Sequence, residues 1–154
     1  MVNSSKNYFS FIAFIYPTLA NKKKQTIISS GYNQNEKFNL SINKNFCLEF
    51  EIKKKKILKL KNKFRKKNWY LIGFTYFSET HEVKLFQYPI NHENLSSEVK
   101  IKKNDIKKFR FGDCLSLAAS VIFDKSNMIN CNNYNGKIDN PKFLNVCLTQ
   151  IFLK

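Results

Sequence analysis

Asn68-Trp-Tyr-Leu-Ile-Gly-Phe-Thr-Tyr-Phe77, then Ser-Glu-Thr-His-Glu82, then Val83-Lys-Leu-Phe-Gln-Tyr-Pro89 is the stretch that decides the fold. Two apolar, aromatic runs flank a short polar link, which is a β-hairpin signature. The stretch holds the only tryptophan, Trp69, and no other part of the chain stays apolar for as long. Residues of this kind suit a pleated, buried surface, so the hairpin is expected in the middle of a β-sandwich.

Upstream, Tyr8 to Tyr16 is apolar and aromatic and stops at Pro17. Proline cannot donate to a strand ladder, so this reads as a buried first strand. A charged start, an apolar stretch and a small residue at Ala20 also resemble a secretory signal peptide over residues 1–20. The strand is favoured, because the positive start is thin and the aromatic density suits a strand. Gln25 to Gly31 is a short strand closed by glycine. Phe38, Leu40 and Ile42 alternate with polar residues, giving one buried and one wet face. After a turn at Asn43 to Asn45, Phe46, Leu48, Phe50 and Ile52 alternate with Cys47, Glu49 and Glu51. Lys53 to Lys56 reads as a solvated loop or edge, since lysines discourage edge-to-edge pairing. Ile57, Leu58 and Leu60 suggest another strand.

Downstream of Pro89 the chain is polar through Ser97, and residues 98–108 show no clear pattern. Phe109 to Gly112 reads as a short strand. Leu115 to Phe123 is apolar, with a bend or tight packing required at Ala118-Ala119. Asp124 to Asn133 reads as an Asn-rich loop. Tyr134 to Phe143 carries Ile138 and Phe143 as core anchors, and Leu144 to Leu153 reads as a closing strand. With roughly ten or eleven short strands and no helical period, the expectation is an all-β, two-sheet antiparallel β-sandwich of jelly-roll type. It is read as a single domain over residues 1–154.

The 154 residues suffice for a real core, and 43% of them are hydrophobic, so composition does not make the chain disordered. Glycine is scarce, at 4 residues, and Asn is expected in many turns because it tolerates left-handed angles. The formal charge is +16, from 27 basic and 11 acidic residues. That balance raises a nucleic-acid or acidic-surface partner. Yet only Arg65 and Arg110 are arginines, and arginine is the usual bidentate reader of phosphates and bases. A lysine, asparagine, isoleucine and phenylalanine bias like that of an AT-rich genome accounts for the charge, which argues against nucleic acid. The apolar segment 8–16 is too short to span a membrane. Cys47, Cys114, Cys131 and Cys147 lack zinc-site spacing and read as reduced and structural. A cytoplasmic location is favoured; secretion would follow if residues 1–20 are a signal peptide.

Few residues invite chemistry. Glu49 and Glu51 lie two apart on a strand, so their carboxylates share a face about 6.5–7 Å apart, near the spacing of a glycosidase pair. Phe50 between them and lysines opposite favour two solvent-facing acids instead. His81 and His92 read as loop residues. Asp139, with Asn130, Asn132, Asn133 and Asn135, could supply oxygens to calcium, which takes six to eight; a turn-forming role for Asp139 is preferred. Trp69 is either a sugar-stacking ring or, preferably, a core residue.

The order of these pieces resembles the concanavalin A-like lectin/glucanase sandwich in its laminin G-like form. The matching pieces are Phe11 to Thr18, Gln25 to Gly31, Phe38-Asn-Leu40, Asn68-Trp-Tyr70 with Phe74 and Tyr76, Val83 to Phe86, Phe109 to Gly112, and Tyr134-Asn-Gly-Lys-Ile-Asp139. A narrower likeness runs through Tyr16-Pro-Thr18, Gln25, Trp69-Tyr70, Leu85 to Pro89 and Asn135 to Pro141. These segments are similar to the sandwich domain of the N,N-dimethylformamidase large subunit. That resemblance implies a non-catalytic accessory or interaction domain of an amidohydrolase acting on C–N bonds. Its iron would lie in a separate catalytic domain, and its partner would be that domain or subunit. No position in this chain matches those iron ligands. The alternative function is a carbohydrate-binding, lectin-like module.

Overall fold

Twelve strands are present among the described residues of the computed structural model, which are 8–31, 37–105, 114–124, 127–145 and 148. They are β1 (Tyr8–Pro17), β2 (Gln25–Ser30), β3 (Phe38–Ile42), β4 (Cys47–Ile52), β5 (Lys55–Lys63), β6 (Tyr70–Phe77), β7 (Glu82–Pro89), β8 (Glu98–Lys103), β9 (Leu115–Leu117), β10 (Ser120–Asp124), β11 (Asn127–Cys131) and β12 (Gly136–Leu144). One five-stranded sheet has the order β12-β1-β6-β7-β8, and the other β5-β4-β3-β2-β9. Strands β10 and β11 form a separate ribbon. Every strand pair is antiparallel. The chain is an all-β sandwich, as its sequence predicts.

The 68–89 hairpin forms β6 and β7, in register from Tyr70↔Pro89 to Phe77↔Glu82. Tyr70, Ile72, Phe74 and Tyr76 alternate into the core, where Phe74 lies 4.3 Å from the Phe50 ring and 5.5 Å from Phe38. Each such fully buried side chain is worth roughly 1.5–3 kcal/mol of transfer free energy. Thus β6 supplies one wall of the core, and β3 and β4 supply the other. Gly73 sits between Ile12 of β1 and Phe86 of β7. A Cβ there would lie 2.1 Å from the Phe11 carbonyl oxygen and 2.6 Å from Phe86 Cζ.

Strand β1 is an interior strand between β12 and β6, with Phe11, Ala13 and Ile15 buried. Residues 8–17 are therefore part of the fold. Strands β8 and β5 are edge strands of the two sheets and lie next to each other. The Glu98 carboxylate accepts hydrogen bonds from the main-chain N–H of Lys61 (2.7 Å) and Asn62 (2.6 Å). Lys100 Nζ lies 3.3 Å from the same carboxylate and donates to the Lys59 carbonyl at 2.9 Å. This seam joins the sheets through side chains instead of a ladder.

Several expectations need correction. Asp124 to Asn133 is not a loop, because β11 lies within it and pairs with β10, setting Ile129 opposite Ile122. Asn is a poor strand former, and cross-strand pairing overrides its local preference. Residues 98–103, which carry no clear pattern, form β8. Phe46 precedes β4 in a left-handed turn (φ 62°) rather than joining its alternation. The bend at Ala118-Ala119 is present, with Ala118 at φ 64° between β9 and β10. Leu144 ends β12, while the rest of the expected closing strand, apart from Asn145 and Leu148, lies outside the described residues. The expected strand at Phe109 to Gly112 lies wholly outside them.

Candidate functional site

Alternation along β2 to β5, interrupted by bulges in the β2–β3 and β4–β5 pairings, sends one set of side chains into the core and the other to the outer face. Register aligns that outer set into two rows. One row is Thr26, Ser41, Glu49 and Lys59; the other is Ser29, Asn39, Glu51 and Lys56. This is the polar face of the sandwich. The sequence predicts it to be wet, yet Thr26, Ser29, Asn39 and Ser41 are fully buried. The β10–β11 ribbon lies against it.

The ribbon is held by a hydrogen-bonded clasp. Ser120 Oγ lies 2.8 Å from Thr26 Oγ1 and accepts from Asn39 Nδ2 at 3.0 Å, while Ser29 Oγ donates to the Ala119 carbonyl at 3.0 Å. The Thr26 N–H donates to the Asn132 carbonyl at 2.7 Å. Buried polar groups satisfied in this way hold geometry more firmly than exposed ones. The fully buried Ser41 hydroxyl has no hydrogen-bond partner among the described residues.

A recess of about 290 Å³ opens where the ribbon meets the sheet. Lys24, Glu51, Lys54, Ile122, Cys131 and Asn132 are among the residues that line it. Lys24 forms an ion pair with Glu51. Asn132 is left-handed (φ 53°), a conformation asparagine tolerates. Donors, an acceptor and an aliphatic side chain thus converge on one open hollow, the ordinary make-up of a small-ligand site.

Glu49 and Glu51 do share a face, but each has its own cation. Glu49 is buried rather than solvent-facing, 3.4 Å from Lys56 Nζ and 3.2 Å from Asn43 Nδ2. Glu51 is engaged by Lys24. Beside them, burial pushes the Cys47 thiol above its usual range against the opposing charges of Lys59 and Lys63.

The residues singled out in the sequence divide between two places. Asn133 is exposed and forms an isolated bridge with Thr26. The Asn135 N–H donates to Gln25 Oε1 (3.0 Å), and its carbonyl accepts from Thr18 N–H (3.0 Å). Both belong to the segment that carries Asn132 into the recess. Asp139 lies on the other sheet, exposed on β12 opposite Phe14. Among the described residues no three His, Cys, Asp or Glu side chains group as metal ligands. Trp69 is half-buried, its ring 5.2 Å from Tyr16, over which Lys137 Nζ sits at 5.7 Å. His81 is half-buried in the β6–β7 turn, and His92 is exposed.

The Tyr134-Asn-Gly-Lys-Ile-Asp139 motif is structural in its visible roles. Tyr134 is buried, and that burial, opposed by the Tyr16 main chain, raises its phenol well above the usual range. A Cβ at Gly136 would lie 2.3 Å from the Tyr16 carbonyl oxygen, so only glycine lets β12 approach β1 there. Ile138 packs against the core.

No family model and no curated protein matches the sequence. Solved structures do match the fold. The CBM40 module of the Ruminococcus gnavus IT-sialidase, solved with α2,3-sialyllactose, aligns over 94% of this chain and 79% of its own, with a TM-score of 0.67 and 15% identity. A candidate carbohydrate-binding protein from Bacteroides ovatus aligns over 97% of this chain, with a TM-score of 0.65 and 15% identity, and the chain spans only 40% of its length. A heptameric SAP-like pentraxin from Limulus polyphemus aligns over 94% of this chain and 66% of its own, with a TM-score of 0.61 and 13% identity. The fold is a lectin-like β-sandwich. These neighbours support the broad concanavalin A-like resemblance; none of the three is an amidohydrolase subunit.

Proposed function

We propose that this chain is a carbohydrate-binding, lectin-like module that holds its ligand in the recess between the polar sheet face and the β10–β11 ribbon. The observation that carries the reading is the convergence of Lys24, Glu51 and Asn132 with Ile122 on one hollow. Sugars present hydroxyl groups around apolar C–H patches, and such a lining can address both. Support also comes from the neighbours that are named for carbohydrate binding or were solved with a sialylated glycan. In this reading the protein binds without transforming, and Glu51 orients Lys24 and accepts from a hydroxyl.

Glycan-array screening followed by calorimetry tests it. The Lys24→Met, Glu51→Gln double variant removes both charges together and avoids leaving either unpaired. Hydrogen bonds to charged groups are worth about 1.5–3 kcal/mol, so binding should weaken on the order of 10- to 100-fold. An array with no glycan hit, or a folded double variant that binds like the parent, refutes the reading.

The narrower likeness to the N,N-dimethylformamidase large subunit would make the module an accessory to an amide hydrolase. That reading rests on the sequence resemblance. A neighbouring reading frame encoding the hydrolase would support it.

A further inference from the structure

The polar face is not electrically even. Its acids are all engaged: Glu49 with Lys56 and Asn43, Glu51 with Lys24, and Glu98 at the adjoining seam with Lys100 and two main-chain N–H groups. Strand β5, at the edge of this face, carries Lys59, Lys61 and Lys63 on alternate positions. Their registers confirm the side: Lys59 opposes Glu49 and Lys63 opposes Cys47, both outward residues of β4. Leu58, Leu60 and Phe64 take the other parity and enter the core. Lys61 and Lys63 are exposed and Lys59 half-exposed, and among the described residues none of the three has an ion-pair partner. The row begins beside the recess, where Lys54 lines the wall and Lys56 opposes Glu51. From Lys56 to Lys63 it extends about 20 Å along the strand.

We infer that the recess and the β5 lysine row form one continuous site for an extended anionic glycan, a chain bearing repeated carboxylate or sulfate groups. The inference rests on the carbohydrate reading above and narrows its ligand class. One sugar occupies the recess, and successive acidic groups meet Lys59, Lys61 and Lys63. Lysine suits this role, since its compact charge on a flexible stem tolerates variable spacing between acidic groups. The acids of the face, being already neutralised, do not repel such a chain.

The experiment uses three labelled hexasaccharides: one derived from heparin, one of α2,8-linked sialic acid, and neutral cellohexaose. Single-stranded DNA is the fourth probe. Affinities are measured for the parent, for Lys59→Gln/Lys61→Gln/Lys63→Gln, and for Lys102→Gln/Lys103→Gln/Lys142→Gln, which removes equal charge from the other sheet. A Lys61→Gln/Lys63→Gln double variant, at two exposed positions, serves if the first triple variant misfolds. Exposed ion pairs are individually weak, so the β5 triple variant should lose affinity on the order of 10-fold, with the control triple variant little changed. Binding of the sialic acid hexasaccharide shows that carboxylates suffice, and binding of the heparin-derived one alone, which carries both groups, shows that sulfate is needed. Equal loss in both triple variants reduces the effect to net charge and overturns the inference. Tight cellohexaose binding unaffected by the β5 variant also overturns it, while leaving the carbohydrate reading intact. Binding of DNA with none of the glycans overturns both.

Discussion

Replacing Gly73 by alanine would drive a methyl group into the centre of the β12-β1-β6-β7-β8 sheet. The new Cβ lies 2.1 Å from the Phe11 carbonyl oxygen, 2.6 Å from Phe86 Cζ and 3.2 Å from Ile12 Cα. The Phe86 ring can rotate or slide, but the Phe11 oxygen is main chain in β1, itself paired on both sides. Relief therefore needs β1 or β6 to move by about 1 Å, against strands that ordinarily sit 4.7–4.9 Å apart. Overpacking of this kind costs typically 1–3 kcal/mol, and more where backbone must shift. The lower entropy of the stiffened unfolded chain offsets about 0.4–1 kcal/mol. With the upper end of that cost, a net loss of roughly 2 kcal/mol lowers the melting temperature by roughly 4–8 °C in a chain of this size. Thermal unfolding followed by near-UV circular dichroism measures it. A Gly73→Ala protein that melts with or above the parent refutes the argument. Full rescue by adding Phe86→Leu would show that the ring, not the Phe11 oxygen, sets the limit.

Glu98 makes stability depend on pH. Burial raises its pKa, but the N–H groups of Asn62 and Lys61 together with Lys100 outweigh that, and the folded value lies below the ordinary 4.5. Its contribution is thus fully present above pH 4.5 and is lost as pH falls through the folded value. Urea melts should show a decline below about pH 4.5 that is shallower in Glu98→Gln, whose stability at pH 7 should be lower by about 1.5–3 kcal/mol. Identical pH profiles would remove Glu98 from the account. Ser120→Ala removes the shorter of the hydrogen bonds made by Asn39 Nδ2 and Thr26 Oγ1, leaving them their longer contact of 3.4 Å. It should cost about 1–3 kcal/mol and speed amide exchange in β10 and β11 more than in β6. Unchanged exchange in the ribbon would mean the clasp does not hold it.

The core was legible because it obeys period two. Phe38, Leu40 and Ile42, then Leu48, Phe50 and Ile52, show their inward parity in the residue order alone, and the β6–β7 hairpin announces itself by aromatic content. The face opposite that parity was not legible. Whether Asn39 and Ser41 meet water depends on a ribbon some 80 residues away in sequence, and no local pattern encodes such a contact. The ribbon itself was hidden because Asn127, Asn130 and their neighbours read as a loop. Turn chemistry was partly legible. Asn91, Asn132 and Asn140 take left-handed angles, as asparagine does, but so do Lys53, Lys54 and Lys67, which give no such signal. Asn133 and Asn135 fall next to the recess, whereas Lys24 and Glu51, which pair with each other on its wall, are 27 positions apart.

The β10–β11 ribbon has a consequence for how this molecule can change over generations. Among the described residues it shares no ladder with either sheet, the chain just after it adding a single bridge between Asn133 and Thr26, and Ser120, Val121, Ile122 and residues 127–132 lie outside the hydrophobic cluster of the sandwich. One wall of the hollow therefore stands outside the main core and is tied to the sheet through the Ser120 clasp. Ile122 and Asn132, both exposed, can drift or be randomised in a library, giving new ligand preferences while Ser120 and the buried Val121 keep the ribbon on the sheet.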